Sequence, residues 1–403
     1  MTAQHVKDWS EKRLGDLATM KSGGTPSSKV PKYYGGGIPW VSIADMTANG
    51  KYVKITAKTL SAVGLSASAA SVYEPDVVLY AMYASLGECA IAVGAVSSSQ
   101  AILGINVGAE LDRNYLYYFL SSIKREVKIT GQQGTQANLN AGMVRDFRIP
   151  LPPLEEQKRL AGVLADTDDL ISTLERLIAK KQAIKTGMMQ QLLTGKTRLP
   201  GHDRIWTDTA VGSIGRVVGG GTPSTRVSSY WGGDIPWFAP AEIKSEGSGV
   251  VTKSERTITA AGLSGSAAAI LPAGSVLVTS RASIGNCAVA GKPVSTNQGF
   301  TSLIPNDLRS TWFFYYWVQL NRSKFESRAA GSTFLEISAS KVRDLPIHLP
   351  PLEEQEAIGN AIKDVDAQLS ALQDRLRKVR NIKQGMMQQL LTGRTRLPAE
   401  ATS

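Results

Sequence analysis

The chain has 403 residues, 42% of them apolar, and a formal net charge of +11. That length allows two or more packed domains. No apolar run is long enough to span a bilayer and the opening MTAQHVKDWSEKRL lacks a signal-peptide core, so a cytoplasmic protein is expected; its basic balance favours nucleic acid as a partner.

In chain order, residues 1–150 read as a globular α+β domain, rich in Gly, Ser, Thr and Val. Trp9 is followed by SGGTPSS at 22–28 and YYGGGIPW at 33–40. Residues 77–83 have the composition of a strand, and 113–127 read as a helix. Residues 151–198 predict one long helix. Pro152 and Pro153 suit a helix start, where a missing N–H costs nothing. Glu155 and Glu156 fall in the first turn, at the positive end of the helix dipole. Gly195 suits the left-handed residue that closes the helix. A seven-residue apolar rhythm through Leu160, Val163, Leu170, Leu174, Leu177, Ile184 and Met188 predicts a core-facing or coiled-coil face. Gly187, which costs about 1 kcal/mol against alanine inside a helix, suggests a close helix crossing, a kink or a partner contact.

The rest of the chain repeats this pattern. LPPLEEQ at 151–157 and GMMQQLLTG at 187–195 recur at 349–355 and 385–393, both displaced by 198 residues. Residues 199–348 form the second globular region, with Trp206, GGGTPST at 219–225 and YWGGDIPW at 230–237. Within it, 276–282 reads as a strand and 310–328 as a single helix. Residues 349–396 are the second long helix, and 397–403 a short tail. Each globular region holds four more basic than acidic residues. A repeat of this length fixes the architecture. The expected fold class is α+β: two pseudo-twofold-related globular α/β domains separated by two long antiparallel coiled-coil helices. Some 40 helical residues make a rod of roughly 60 Å.

Catalytic motifs are missing. TGKT at 194–197 resembles the end of a Walker A loop, but Gln190 holds the place of its first glycine. No Asn/Asp-Pro-Pro-aromatic motif occurs, and Pro75–Asp76 with Glu88 lacks the lysine of a restriction-type nuclease site. The three histidines have no metal-ligand spacing, so no metal is expected. Cys89 and Cys287 occupy equivalent repeat positions and read as small buried strand residues. The GGTPS segments could cradle a phosphate or simply form turns.

Two variable domains carrying GGTPS and a Tyr-Trp-Gly-Gly…Ile-Pro-Trp stretch, each closed by PLPPLxEQ and a helix ending in QxLLTG, resemble the specificity subunit of a type I restriction-modification system. The resemblance covers nearly the whole chain. It implies a non-catalytic DNA-recognition subunit in which each domain reads one half of a split double-stranded target, while the helices set the spacing and hold two methyltransferase subunits. Restriction-translocase subunits would join through these. S-adenosylmethionine, ATP and magnesium would belong to the partners alone.

The loops shared by the two copies supply the expected DNA contacts. In the first domain these are Thr25, Ser27, Tyr33, Tyr34, Tyr83, Ser85, Gln100, Gln132, Gln133, Thr135 and Gln136. In the second they are Thr222, Ser224, Arg226, Tyr230, Trp231, Arg281, Ser283, Asn297, Gln298, Ser332 and Thr333. Arg281 and Asn297 stand out because arginine can grip guanine and asparagine adenine; a turn-forming role is open for each polar residue. Trp40 and Trp237 read as core. Expected spacer and partner positions are Leu160, Leu174, Gly187, Met188 and Gln191, with Ile358, Leu372, Gly385, Met386 and Gln389. Two rivals remain at this stage: a duplicated nucleic-acid-binding adaptor outside restriction-modification, and a self-contained enzyme.

Overall fold

The structure, a computed structural model, describes residues 9–132, 138–244, 249–329 and 335–398. The first repeat runs β1 (Ser10–Arg13), α1 (Leu14–Leu17), β2 (Ala18–Ser22), β3 (Tyr34–Val41), α2 (Ile43–Asn49), β4 (Tyr52–Val53), β5 (Lys58–Leu60), α3 (Ala62–Ser66), β6 (Val78–Ala81), β7 (Cys89–Ala92), β8 (Ser97–Ser98), β9 (Ile102–Val107), α4 (Arg113–Gln132), α5 (Ala141–Arg145), β10 (Arg148–Leu151) and α6 (Leu154–Leu192). The second runs β11 (Thr207–Ala210), α7 (Val211–Ile214), β12 (Gly215–Gly219), β13 (Trp231–Phe238), β14 (Val250–Val251), β15 (Arg256–Ile258), α8 (Ala260–Ser264), β16 (Val276–Val278), β17 (Cys287–Ala290), β18 (Ser295–Thr296), β19 (Thr301–Pro305), α9 (Thr311–Leu320), α10 (Arg322–Arg328), α11 (Ala339–Arg343), β20 (Pro346–Leu349) and α12 (Leu352–Leu390).

Each repeat builds the same sheets. A five-stranded sheet has the order β2-β9-β6-β7-β4 in the first and β12-β19-β16-β17-β14 in the second. A three-stranded sheet has the order β5-β3-β8 or β15-β13-β18, and β1 pairs with β10 as β11 does with β20. Side chains alternate across each strand. Val78 and Tyr80 of β6 face a core with Tyr115, Leu116 and Phe119 of α4, while Leu79 faces a second core with Val41, Met46 and Tyr73. No helix among the described residues is long and apolar enough to cross a membrane.

Three local expectations change. Residues 310–328 form two helices, because both the backbone and the side-chain N–H groups of Asn321 donate to the Trp317 carbonyl, at 3.0 and 2.9 Å, and close α9. Ile123 keeps the equivalent α4 continuous to Gln132. The strands expected at 77–83 and 276–282 end early, because the chain turns into a loop where Ala84 and Ala282 each take φ 58°. At Gly187 and Gly385 a Cβ would meet nothing within 4 Å, and the helices run on through them. They mark no close crossing within this chain.

The chain packs into two compact units: residues up to Glu175 with those from Arg375, and Arg176–Asp374. Each unit therefore takes a globular domain, the start of the helix that follows it and the end of the other long helix. In the first core, Leu160 and Leu164 of α6 meet Leu390 and Leu391. In the second, Ile358 and Ile362 of α12 meet Met189, Leu192 and Leu193. Ion pairs set the helix direction within each unit. Asp168 pairs with Lys383 and Glu175 with Arg380, both at 2.5 Å; Lys185 pairs with Asp366 at 2.7 Å while Lys181 donates to Gln368 at 2.5 Å. Residue numbers fall on one helix as they rise on the other, so the segments are antiparallel.

Two joints tie each domain to this pair. At the helix start, the Trp9 indole N–H donates to Glu156 at 3.3 Å and that of Trp206 to Glu354 at 3.0 Å. Gln157 and Gln355 fold back onto the carbonyls of Pro152 and Pro350, at 2.9 and 2.7 Å. Glu354 is fully buried, and Arg198 neutralises it with two hydrogen bonds of 2.6 Å. Further along, Tyr118 donates to Asp168 at 2.8 Å and Tyr316 to Asp366 at 2.7 Å. Burial, followed by the carboxylate beside each, pushes both phenols well above the usual tyrosine range.

Each Tyr–Asp–Lys joint uses one carboxylate oxygen for the domain and the other for the opposite helix. Hydrogen bonds to charged groups contribute about 1.5–3 kcal/mol, and the Lys185 side chain is only 10% exposed. Asp366→Asn is expected to lower stability by about 2–3 kcal/mol, and by clearly less in a Lys185→Met background, because the lysine charge is then no longer stranded. Urea unfolding of the four forms of that cycle measures the coupling; additive losses would contradict it.

Candidate nucleic-acid interface

The three-stranded sheet positions most of the expected contact residues. In the second domain its central strand is β13, with a bulge between Trp231 and Ile235. The preceding GGTPS loop lies against it: Trp231 donates to the Ser224 carbonyl at 3.2 Å, and Trp237 to that of Gly221 at 2.8 Å. Trp237 is buried, as expected. Cβ atoms on Gly220 and Gly221 would overlap the backbone at Asn297 and Ala267. These glycines serve close packing, so the segment is a structural turn.

The loops meet through short contacts. Thr222 donates to the Gln298 side chain. Gly299 accepts the Ser280 N–H at 2.7 Å, and Ser280 accepts that of Ile337 at 3.1 Å. Ser224, Arg226 and Gln298 are exposed. Arg281 is paired to Glu336 at 2.8 Å, and Asn297 accepts the Gly299 N–H at 2.8 Å. Both have partners within the loops. The carbonyls of Ser283 and Tyr230 accept from the Thr279 hydroxyl and the Thr259 N–H, which ties those residues through their backbone.

The first domain follows the same plan. Tyr34 donates to the Pro26 carbonyl at 2.8 Å and Trp40 to that of Gly24 at 3.0 Å. Thr25, Ser27 and Gln100 are exposed. The Tyr33 carbonyl accepts the Ser61 N–H at 2.9 Å. Tyr83 and Ser85 flank Ala84, and Tyr83 packs against the domain core. Gln132 ends α4. Gln133, Thr135, Gln136, Ser332 and Thr333 lie outside the described residues.

Sequence reasoning missed two cations at one repeat position. Lys58 stands opposite Trp40, with its ammonium 5.8 Å from the Tyr34 ring centre. Arg256 stands opposite Trp237, with its guanidinium carbon 3.5 Å from that of Trp231. Aligning KTL with RTI would have found them.

Of the expected helix positions, Leu160, Leu174 and Ile358 are buried in this chain's own packing, while Gln191 and Gln389 are exposed. Met188, Leu372 and Met386 are half-buried. Burial pushes the Cys89 thiol far up and that of Cys287 up to about 12, so both are poor nucleophiles. Among the described residues no group of three or more His, Cys, Asp or Glu could hold a metal ion.

The family description "Type I restriction modification DNA specificity domain" matches residues 6–186 and again 204–381. The type I restriction enzyme MjaIX specificity subunit of Methanocaldococcus jannaschii is 37% identical over 163 residues, which span 40% of this chain and 38% of that protein. The MjaVIII specificity subunit of the same organism is 23% identical over 425 residues, 97% of this chain and 94% of its own. Among solved structures, the type I restriction-modification S subunit from M. genitalium superposes with a TM-score of 0.61 at 14% identity, covering 100% of this chain and 99% of that one. A chain from a study of complex assembly and conformational transition in the type I R-M system gives 0.61 at 20% identity, covering 98% and 100%. At these identities the structures show a shared fold. The family matches fall on the two repeats and take in most of the sequence, and the chain belongs to the family of type I restriction-modification specificity subunits.

Proposed function

We propose that each globular domain reads one half of a bipartite double-stranded DNA site. The paired helices set the spacing between halves and dock two methyltransferase subunits, through which restriction-translocase subunits attach. The observation that carries this reading is one frame built twice with different side chains at matching places: Lys58 on the edge strand beside Tyr34 in one domain, Arg256 on the edge strand beside Trp231 in the other. Exposed Lys29, Lys32 and Arg226 suit phosphate contacts, which position a protein on DNA, while base edges specify sequence. Docking is supported by a groove of about 740 Å³ between α4 and the end of α12, lined by Lys124, Arg125, Lys128, Arg380, Met387 and Gln388. A smaller groove of about 310 Å³ repeats it between α9, α10 and α6, with Lys185, Met189 and Arg322.

On this reading the chain supplies recognition and its partners supply chemistry. The purified chain is expected to methylate and cleave nothing. With its methyltransferase it should mark one bipartite motif, and exchanging residues 199–348 for those of another specificity subunit should change one half of that motif. Methylation mapping reads both results; turnover by the chain alone, or a change in both halves, would sink the proposal.

The spacing role is tested separately. Four residues inserted after Ser172 add about 6 Å of helix and about 40° of rotation, little enough for the apolar seam to survive. At about 3.4 Å per base pair, the preferred spacer should grow by one or two base pairs with both half-sites unchanged. An unchanged spacer in an assembled complex would show that the helices hold partners without measuring DNA.

A further inference from the structure

We propose that Arg256 is a specificity-determining residue of the second domain and reads the major-groove edge of a guanine in its half-site; this rests on the DNA-reading function proposed above. Arg256 opens β15, an edge strand, and is exposed. Its guanidinium carbon lies 3.5 Å from the centre of the Trp231 ring and 5.5 Å from that of Trp237. The two indoles meet at 90° with centres 5.0 Å apart, so the guanidinium sits in a corner between aromatic walls. Both indole N–H groups are already bonded to the GGTPS loop, which keeps those walls from swinging away.

Stacking uses the face of a guanidinium and leaves its N–H donors at the edge. Among the described residues no carboxylate pairs with Arg256, unlike Arg281 with Glu336 and Arg309 with Asp307. Stacking against Trp231 restricts its side chain before any ligand arrives, which removes part of the entropic cost of binding. A held, unpaired fork of donors matches the O6 and N7 acceptors of guanine. The neighbouring backbone is open as well: Gly232 has φ 81° and a Cβ there would meet nothing within 4 Å, so a duplex can come close. In the first domain the same position is Lys58. A lysine is a compact charge on a flexible stem and lacks the planar fork, so that position holds a guanine edge less rigidly there.

The test uses the full chain assembled with its methyltransferase, carrying Arg256→Lys or Arg256→Ala. Binding is measured against duplexes holding each of the four bases at every position of both half-sites. The expected result is a loss of about 5–150-fold in preference for guanine at one position of the second domain's half-site with Arg256→Ala, a smaller loss at the same position with Arg256→Lys, and the first half-site read as before. That retained half-site shows that the variant is folded and assembled. If Arg256→Ala fails to assemble, Arg256→Lys, which keeps the charge beside Trp231, decides alone. A loss uniform over all sequences would make Arg256 a phosphate contact and overturn the inference, as would an unchanged preference. Failure of the underlying function is visible beforehand, because the unsubstituted complex would then show no bipartite preference.

Discussion

A carboxylate shared between a domain and two helices is the constraint on which this fold depends. Asp168 and Asp366 each sit where three elements meet, and each has two oxygens to divide among them. Along α6 the cover is uneven: Leu160, Leu164 and Leu174 are buried, while Leu170, Leu177 and Ile184 remain more than a third exposed. Apolar packing of that kind tolerates a shift by a turn. A tyrosine and a lysine converging on one carboxylate do not, and polar groups in a helical seam are well suited to fixing register. Each long helix offers an aspartate to its own domain and a lysine to the other's, so within each unit a slide of one helix along the other breaks the joint.

This division of labour explains why frame and edge differ in character. The frame is held where backbones touch: Gly23 and Gly24 against Ser98 and Ala70, and Gly220 and Gly221 against Asn297 and Ala267. No side chain fits there, so the turn recurs with the same glycines. Compensation inside the core is local. Gly104 leaves room for the Tyr73 ring, 2.6 Å from where its Cβ would lie, whereas Ser302 and Leu271 fill the same two places in the second domain. Tyr73 bonds the Ser98 hydroxyl at 3.1 Å; with leucine in its place, the buried Thr296 hydroxyl has no partner among the described residues. On the edge strands the exposed Lys58 and Arg256 are bound by neither constraint and can differ.

The architecture was legible because duplication writes itself into the sequence twice, and because helix ends use residues with a single physical purpose. Pro152 and Pro153 before α6 and the left-handed Gly195 after it are examples, with φ 70° at the latter. Side-chain partners were not legible. Glu336 reaches Arg281 from 55 positions away in the chain, and no local pattern announces it. The Tyr–Asp–Lys joints were equally hidden, since tyrosine, aspartate and lysine on a helix read as core or solvated residues until three elements are placed together. Asn321 was misread for the opposite reason. Its effect is local, but an apolar run on either side outweighed one weak helix former.

The interleaved units also set an order of events during synthesis. Among the described residues the second domain's core reaches no further along the chain than Ile362 and its joint no further than Asp366, whereas the first domain's core includes Leu390 and Leu391. A ribosome adding about 5–20 residues per second therefore releases everything the second domain needs while the first, made long before, still has Leu160 and Leu164 uncovered. The earliest part of the polypeptide is the last to close. A premature stop shortly after Asp374 would spare the nearer domain and leave the distant one open.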